Sequence, residues 1–114
     1  MSDRIYHITS RINWEKAQRE GEYQADSLAS AGFIHCSSKE QVLRVANNFY
    51  RDQPSLMLLE IDPSQLKEKL RWEAGTDAPD ELFPHIYGPI NLDAVKRTFD
   101  LSPNQDGSFS FPQP

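Results

Sequence analysis

The chain has few of the residues that build disulfides, metal clusters and membrane spans. Cys36 is the only cysteine among the 114 residues, which excludes an internal disulfide and a multi-cysteine zinc site. No apolar run approaches the ~20 residues that cross a bilayer, and no signal-peptide-like stretch opens the sequence. The 12 Lys and Arg are outnumbered by 17 Asp and Glu. This balance argues against broad contact with nucleic-acid phosphates. We expect a cytoplasmic protein that binds neither membranes nor nucleic acid.

The length and the pattern of elements predict one modest domain. A chain of this size buries roughly two-thirds of its unfolded surface, which supports one core. Strand-like segments outnumber helical ones, and their spacing does not fit repeated βαβ units. We therefore predict a single α+β domain over residues 1–114, with a mixed, mostly antiparallel sheet or sheets and flanking helices. Its ordered core is predicted at about 4–101, followed by a hairpin or tail over 102–114.

Capping residues and hydrophobic spacing predict the individual elements. The clearest is a helix over about 39–50, whose start fits a capping box through Ser37 with Glu40 or Ser38 with Gln41. The other predicted elements are a helix over 13–20 that Asn13 caps and Gly21 ends, a loop over 25–32, a strand over 56–61, a short helix over 65–70, a strand over 71–73, a helical turn over 92–95, and a hairpin that joins 97–101 to 108–111.

All three histidines of the chain lie inside short runs of β-forming residues. Residues two apart on a strand share a face, whereas adjacent residues point apart. The pairs that are predicted to share a face are His7 with Thr9, His35 with Ser37, and His85 with Tyr87. The opposite face is predicted to be core and carries Tyr6, Ile8, Ile34, Cys36 and Ile86. If the strands are neighbours, the histidine face forms the polar floor of a cleft.

Histidine suits proton transfer, ribose hydrogen bonding and metal ligation. Any one of the three is explained as well by a partly buried ring whose nitrogens have protein partners, but three in one context favour a shared site. Because the separations of 28 and 50 residues contain no close histidine pair, no metal is expected. Glu73 is a candidate to orient a histidine or activate a hydroxyl, although a surface carboxylate is the commoner explanation.

A phosphate-binding group is a further candidate. The helix start at Ser37 and Ser38 offers free N–H groups and a positive dipole end, although a plain cap explains the serines equally well. Arg11, Arg44 and Arg71 are candidate cations, and the sequence does not choose among them.

Four motifs together resemble a known family. They are IYHIT at 5–9, GFIHCSS at 32–38, RWE at 71–73 and FPHIYGPI at 83–90. This combination resembles the uncharacterised family classed as domain of unknown function 952, over about residues 5–99. The resemblance implies a fold similar to the ADP-ribosyltransferase superfamily, whose members bind NAD in a cleft between two small sheets.

The resemblance also implies roles for the site residues. His7 and Thr9 match a first motif that contacts ribose, and His35 before Ser37 matches a second motif near nicotinamide. His85 matches a third, which polarises the reacting group. The implied function is binding of NAD or a related nucleotide and transfer or hydrolysis of ADP-ribose. Together with the residue patterns, this predicts that His85 and Glu73 are catalytic and that the ligand is bound by His7, Thr9, His35, Ser37 and Tyr87. Histidine stands where transfer to proteins usually requires glutamate. This favours the alternative, a non-catalytic module that senses a small ligand or binds a protein partner.

Overall fold

The computed structural model describes residues 3–75 and 78–112, and these ranges form three antiparallel sheets and three short helices. The α+β class with mostly antiparallel sheets is confirmed. The helices are α1 (Arg11–Glu20), α2 (Asp26–Ala31) and α3 (Lys39–Phe49), with 3-10 turns at Pro63–Gln65 and Leu92–Ala94. The strands are β1 (Ile5–Ser10), β2 (Glu22–Tyr23), β3 (Ile34–His35), β4 (Ser37–Ser38), β5 (Leu56–Ile61), β6 (Leu70–Ala74), β7 (Leu82–Ile86), β8 (Ile90–Asn91) and β9 (Val95–Leu101).

The four-stranded sheet has the order β4-β1-β5-β9 and forms the centre of the molecule. Every residue of β5 is buried, as the apolar run over 56–61 predicts. Both faces of this sheet are covered, so its alternating side chains enter two separate cores. One core contains Ile5, Met57, Leu59 and Ile61 together with Tyr23, Ile34 and Ile86. The other contains Tyr6, Ile8, Leu56 and Leu58 together with Val42 and Ala46 of α3.

The capping box that begins α3 is the one formed by Ser38 and Gln41. The Ser38 side chain accepts from the Gln41 backbone, and the Gln41 side chain accepts from the Ser38 N–H at 2.9 Å. The helix ends at Phe49, one residue before the predicted end. Val42 and Ala46 are its buried apolar stripe, which is why the sequence signal was clear.

Helix α1 begins two residues earlier than predicted. Ser10, not Asn13, is the N-cap, because the Ser10 hydroxyl accepts from the backbone N–H of Asn13 at 3.0 Å. Gly21 ends the helix in the left-handed region with φ of 87°, as predicted.

Three predicted segments are wrong. Residues 25–32 are not a loop, since they contain α2, which Gly32 ends. The helix predicted over 65–70 is absent, because the 3-10 turn at Pro63–Gln65 stops and the chain enters β6 at Leu70. The hairpin between 97–101 and 108–111 does not form. Instead β9 pairs with β5, and the tail carries Phe109 into the second core.

The three-stranded sheet has the order β3-β7-β6 and builds the site. Its register places His35 opposite His85, and His85 opposite Arg71. The strand predicted around residues 71–73 is therefore the edge partner of the third histidine strand. Over the described parts of the chain, no helix has the length and apolar character needed to cross a membrane.

Candidate functional site

A cleft of about 710 Å³ opens between the central sheet, the three-stranded sheet and helix α3. Five of the seven residues predicted for the site line it: His7, Thr9, His35, Ser37 and His85. Glu73 and Tyr87 are not among its lining residues, and instead they contact His85 or each other. The structure thus brings all seven into one connected region.

His35, which is exposed, and His85, which is buried, form a pair that lines the cleft. Their ring centroids are 5.4 Å apart and nearly perpendicular, because the strands place the two residues directly opposite one another. The ring of Phe33 stacks on His85 at 4.1 Å, with 20° between the planes, and meets His35 edge-on at 4.8 Å. This aromatic contact fixes the plane of the His85 ring.

Glu73 determines which ring nitrogen of His85 carries a proton. Its Oε1 lies 2.9 Å from Nδ1 of His85 and accepts a hydrogen bond from the Tyr87 hydroxyl at 2.5 Å. These bonds, first that of Tyr87 and then that of His85, hold the pKa of the Glu73 carboxyl below its usual value. A carboxylate can only accept, so Nδ1 of His85 carries a proton. Within the described residues no hydrogen bond reaches Nε2 of His85, and the His85 residue lines the cleft.

His7 differs because both of its ring nitrogens already have partners. Nδ1 donates to the backbone carbonyl of His35 at 2.6 Å, and Nε2 lies 2.8 Å from the Tyr23 hydroxyl. That hydroxyl also lies 2.8 Å from Oγ1 of Thr9. Burial lowers the pKa of His7 to about 4, so the ring is neutral near pH 7. Since the neutral ring carries its proton on Nδ1, Nε2 is an acceptor.

The face that His7 shares with Thr9 is buried, not solvent-facing as an open cleft floor requires. His7 is 8% and Thr9 5% exposed. The alternation itself is correct, but β1 is an inner strand whose two faces are both covered. His7 also lies in a different sheet from His35 and His85, and is joined to them through the His35 carbonyl.

The neighbours of the other predicted groups clarify their roles. The pKa of His35 is lowered by burial and then by the nearby His85, so its ring is neutral near pH 7. Cys36 is fully buried, which raises the pKa of its thiol and agrees with the prediction that it is a packing residue. Tyr87 shares a face with His85, as predicted, and both contact Glu73.

The candidate phosphate-binding groups, which are the start of α3 and three arginines, lie in different surroundings. The capping box already uses the first donors of α3, which agrees with a plain cap, and Ser37 belongs to β4 rather than to the helix start. Arg11 pairs with the exposed Asp100, and Arg71 lies over the Tyr87 ring at 5.8 Å. Arg44 alone of the three lines the cleft.

Two residues of the site were not assigned a role from the sequence. Phe33 is two residues before His35, so strand alternation already placed it on the histidine face. Tyr23 is remote in sequence and reaches His7 only because β2 pairs with β8 in a sheet of its own. Among the described residues no group of three or more His, Cys, Asp or Glu side chains is placed to hold a metal ion.

Comparison with known proteins identifies the family. A family model described as a protein of unknown function, DUF952, matches residues 8–98. The chain belongs to this family. The crystal structure of protein CC0527 from Caulobacter crescentus is similar, with a TM-score of 0.84 and 35% identity over 94% of this chain and 93% of that one. Its solution NMR structure matches with a TM-score of 0.80 and 36% identity over 92% and 90%. No curated protein matches the chain.

Proposed function

We propose that the cleft binds NAD or a related nucleotide-like metabolite, and that ADP-ribose is transferred or hydrolysed at its histidine end. The observation that carries this proposal is the 2.9 Å contact between Glu73 and Nδ1 of His85, which orients the ring and leaves Nε2 to act on a ligand. The cleft volume of about 710 Å³ lies within the range of small-molecule sites. The four motifs resemble the DUF952 family, and the ADP-ribosyltransferase-like fold that this resemblance implies is the ground for naming NAD as the ligand.

In hydrolysis, an unprotonated Nε2 of His85 accepts a proton from water while the water oxygen forms a bond to ribose C1′. The bond from C1′ to the nicotinamide nitrogen breaks, and its electron pair leaves with neutral nicotinamide. Glu73 stabilises the imidazolium at His85, which returns its proton to solvent. In transfer, an acceptor hydroxyl takes the place of water. His85 is therefore the catalytic acid–base residue and Glu73 its positioning residue.

The remaining histidines have distinct parts in the proposal. His35 is exposed and neutral, so its ring can hydrogen-bond the ligand beside His85. The family resemblance implies ribose binding by His7 and Thr9. Because both ring nitrogens of His7 are engaged, we propose instead that His7 positions the His35 strand, while the Thr9 and Ser37 hydroxyls line the cleft.

Nicotinamide release from NAD tests the proposal. Histidine general bases contribute about 100-fold or more, so His85→Gln should lose at least that factor, with Glu73→Gln intermediate. Glu15→Gln removes an exposed carboxylate of α1 and is the matched control, expected to keep full activity. Wild-type turnover in His85→Gln, with the fold intact by circular dichroism, would contradict the catalytic role.

One observation favours the non-catalytic alternative. Glu73 is turned to Tyr87 and His85 and does not line the cleft, and His85 stands where transfer to proteins usually requires glutamate. A ligand-sensing module would bind ADP-ribose and release no nicotinamide. Saturable binding of ADP-ribose, with no nicotinamide released from NAD over a day, would therefore support the ligand-sensing module and contradict the enzyme.

A further inference from the structure

The cleft continues beyond the histidines to one face of α3. Arg44, Val45, Asn48 and Phe49 line it there. Arg44 and Asn48 are four residues apart, so they lie one turn apart on the same side of the helix. Of all residues that line the cleft in the described part of the chain, Arg44 is the only lysine or arginine.

Phe49 gives this end of the cleft an exposed aromatic ring. Its residue is 55% exposed, although the rest of the apolar stripe of α3 is buried or half-buried. A flat ring open to a cleft is suited to stacking on a nucleic base, because every base has a π face. Asp26 and Ser27 also line the cleft and add polar groups that can hydrogen-bond a sugar.

The Arg44 guanidinium is held in place by Glu81 and keeps further N–H donors for a ligand. Its Nη2 donates to Oε2 of Glu81 at 2.5 Å, and the Gln41 amide donates to the same oxygen at 2.8 Å. The Arg44 side chain remains 52% exposed. Because guanidinium has five N–H donors in a planar fork, it can keep Glu81 and still bind a second anion.

Resting on the proposed function, we infer that this region is the subsite for the phosphates and second base of a dinucleotide. Arg44 contacts the diphosphate, and Phe49 stacks on the base. The two ends of the cleft then divide the ligand, with the nicotinamide riboside part at His35 and His85. The site prefers ligands with a diphosphate, and it binds ADP without any nicotinamide part.

Titration with ADP tests the subsite apart from the chemistry. We expect Arg44→Gln to weaken ADP binding about tenfold, as loss of a half-exposed charged hydrogen bond does. Phe49→Leu should weaken it about fivefold through lost stacking. Arg19→Gln, which removes an exposed cation of α1 outside the cleft, is the matched control and should bind as wild type does. Nicotinamide riboside binding should be the same in all four proteins.

Glu81→Gln separates contact with phosphate from support of the cleft wall. If Arg44 touches the phosphate, this variant keeps or improves ADP affinity, because Arg44 loses a competing carboxylate. An equal loss in Glu81→Gln and Arg44→Gln would overturn the inference, as would unchanged ADP binding in Arg44→Gln.

The two proposals fail in different ways. If NAD shifts the His35 and His85 signals while Arg44→Gln leaves ADP and NAD affinity unchanged, only the subsite is wrong. If ADP binds through Arg44 but no nicotinamide is released, the subsite holds and the chemistry is wrong. Absence of NAD and ADP binding at millimolar concentration overturns both.

Discussion

His7 and His85 are nearly equally buried, at 8% and 3% exposed, yet the structure uses them differently. Both ring nitrogens of His7 are bound to the protein, one by the His35 carbonyl and one by the Tyr23 hydroxyl. Only Nδ1 of His85 has a protein partner within the described residues, and the ring lines the cleft. The number of ring nitrogens that are hydrogen-bonded to the protein, not burial, distinguishes a structural histidine from a candidate functional one.

This difference separates stability from ligand chemistry. His7 holds β1 to the His35 strand and to Tyr23, so its loss should damage the fold. His35, which is exposed, should matter mainly when a ligand is present.

The largest expected effect is on stability in His7→Ala. The substitution leaves a cavity and removes the partners of the His35 carbonyl and the Tyr23 hydroxyl, which should lower the free energy of unfolding by about 3 kcal/mol. His35→Ala changes an exposed side chain and should cost less than about 1 kcal/mol. Urea unfolding followed by circular dichroism measures both. Equal losses in the two variants would remove the distinction.

The pH dependence of stability should also follow His7. Its pKa is about 4 in the folded protein against an ordinary 6.5, so between these values the unfolded chain binds a proton that the folded chain does not. The stabilising contribution is therefore full above pH 6.5 and is lost as the pH falls toward 4, by roughly 3 kcal/mol in total.

The difference between wild type and His7→Gln isolates this contribution from the carboxylates. The unfolding free energy should differ less between pH 4.5 and pH 7.5 in His7→Gln than in wild type. His35→Gln should keep most of the wild-type difference. A His7→Gln protein with the full wild-type slope would show that folding does not lower the pKa of His7.

Tyr23→Phe should have a smaller effect of the same kind. It removes the hydroxyl between His7 and Thr9 and leaves Nε2 of His7 without its buried partner, at a cost of about 1–2 kcal/mol. Tyr50→Phe is the matched control, since no hydrogen bond of the Tyr50 hydroxyl is found in the described residues. Thermal unfolding should rank wild type and Tyr50→Phe together, above Tyr23→Phe.

Glu73→Gln should leave stability almost unchanged and alter the state of His85. The amide can still contact Nδ1 but no longer requires a proton there, so the Nδ1–H form of His85 loses its preference. Nitrogen-15 NMR of the imidazoles should show a changed tautomer ratio for His85 and unchanged signals for His7. The same tautomer ratio in both proteins would mean that Glu73 does not position the ring.

The sequence predicted local features better than long-range ones. The His35 and His85 contexts, the Ser38 capping box and the 56–61 strand are set by neighbouring residues, and all are found. Helix α2 was missed because its six residues carry no apolar period, and none of them is buried.

Contacts between strands depend on strand pairing, which local patterns do not encode. Glu73 reaches His85 because β6 and β7 are antiparallel neighbours, and Tyr23 reaches His7 from another sheet. The predicted C-terminal hairpin failed for the same reason, since the 95–101 strand finds a longer apolar partner in β5 than in the tail.

Imidazole NMR during titration with ADP-ribose tests the central claim most directly. We predict saturable shifts of the His35 and His85 signals with one dissociation constant, and at most small shifts of His7, because its nitrogens stay bound to the His35 carbonyl and Tyr23. Large shifts of the His7 signals, with unchanged signals from His35 and His85, would contradict the assignment of structural and functional histidines.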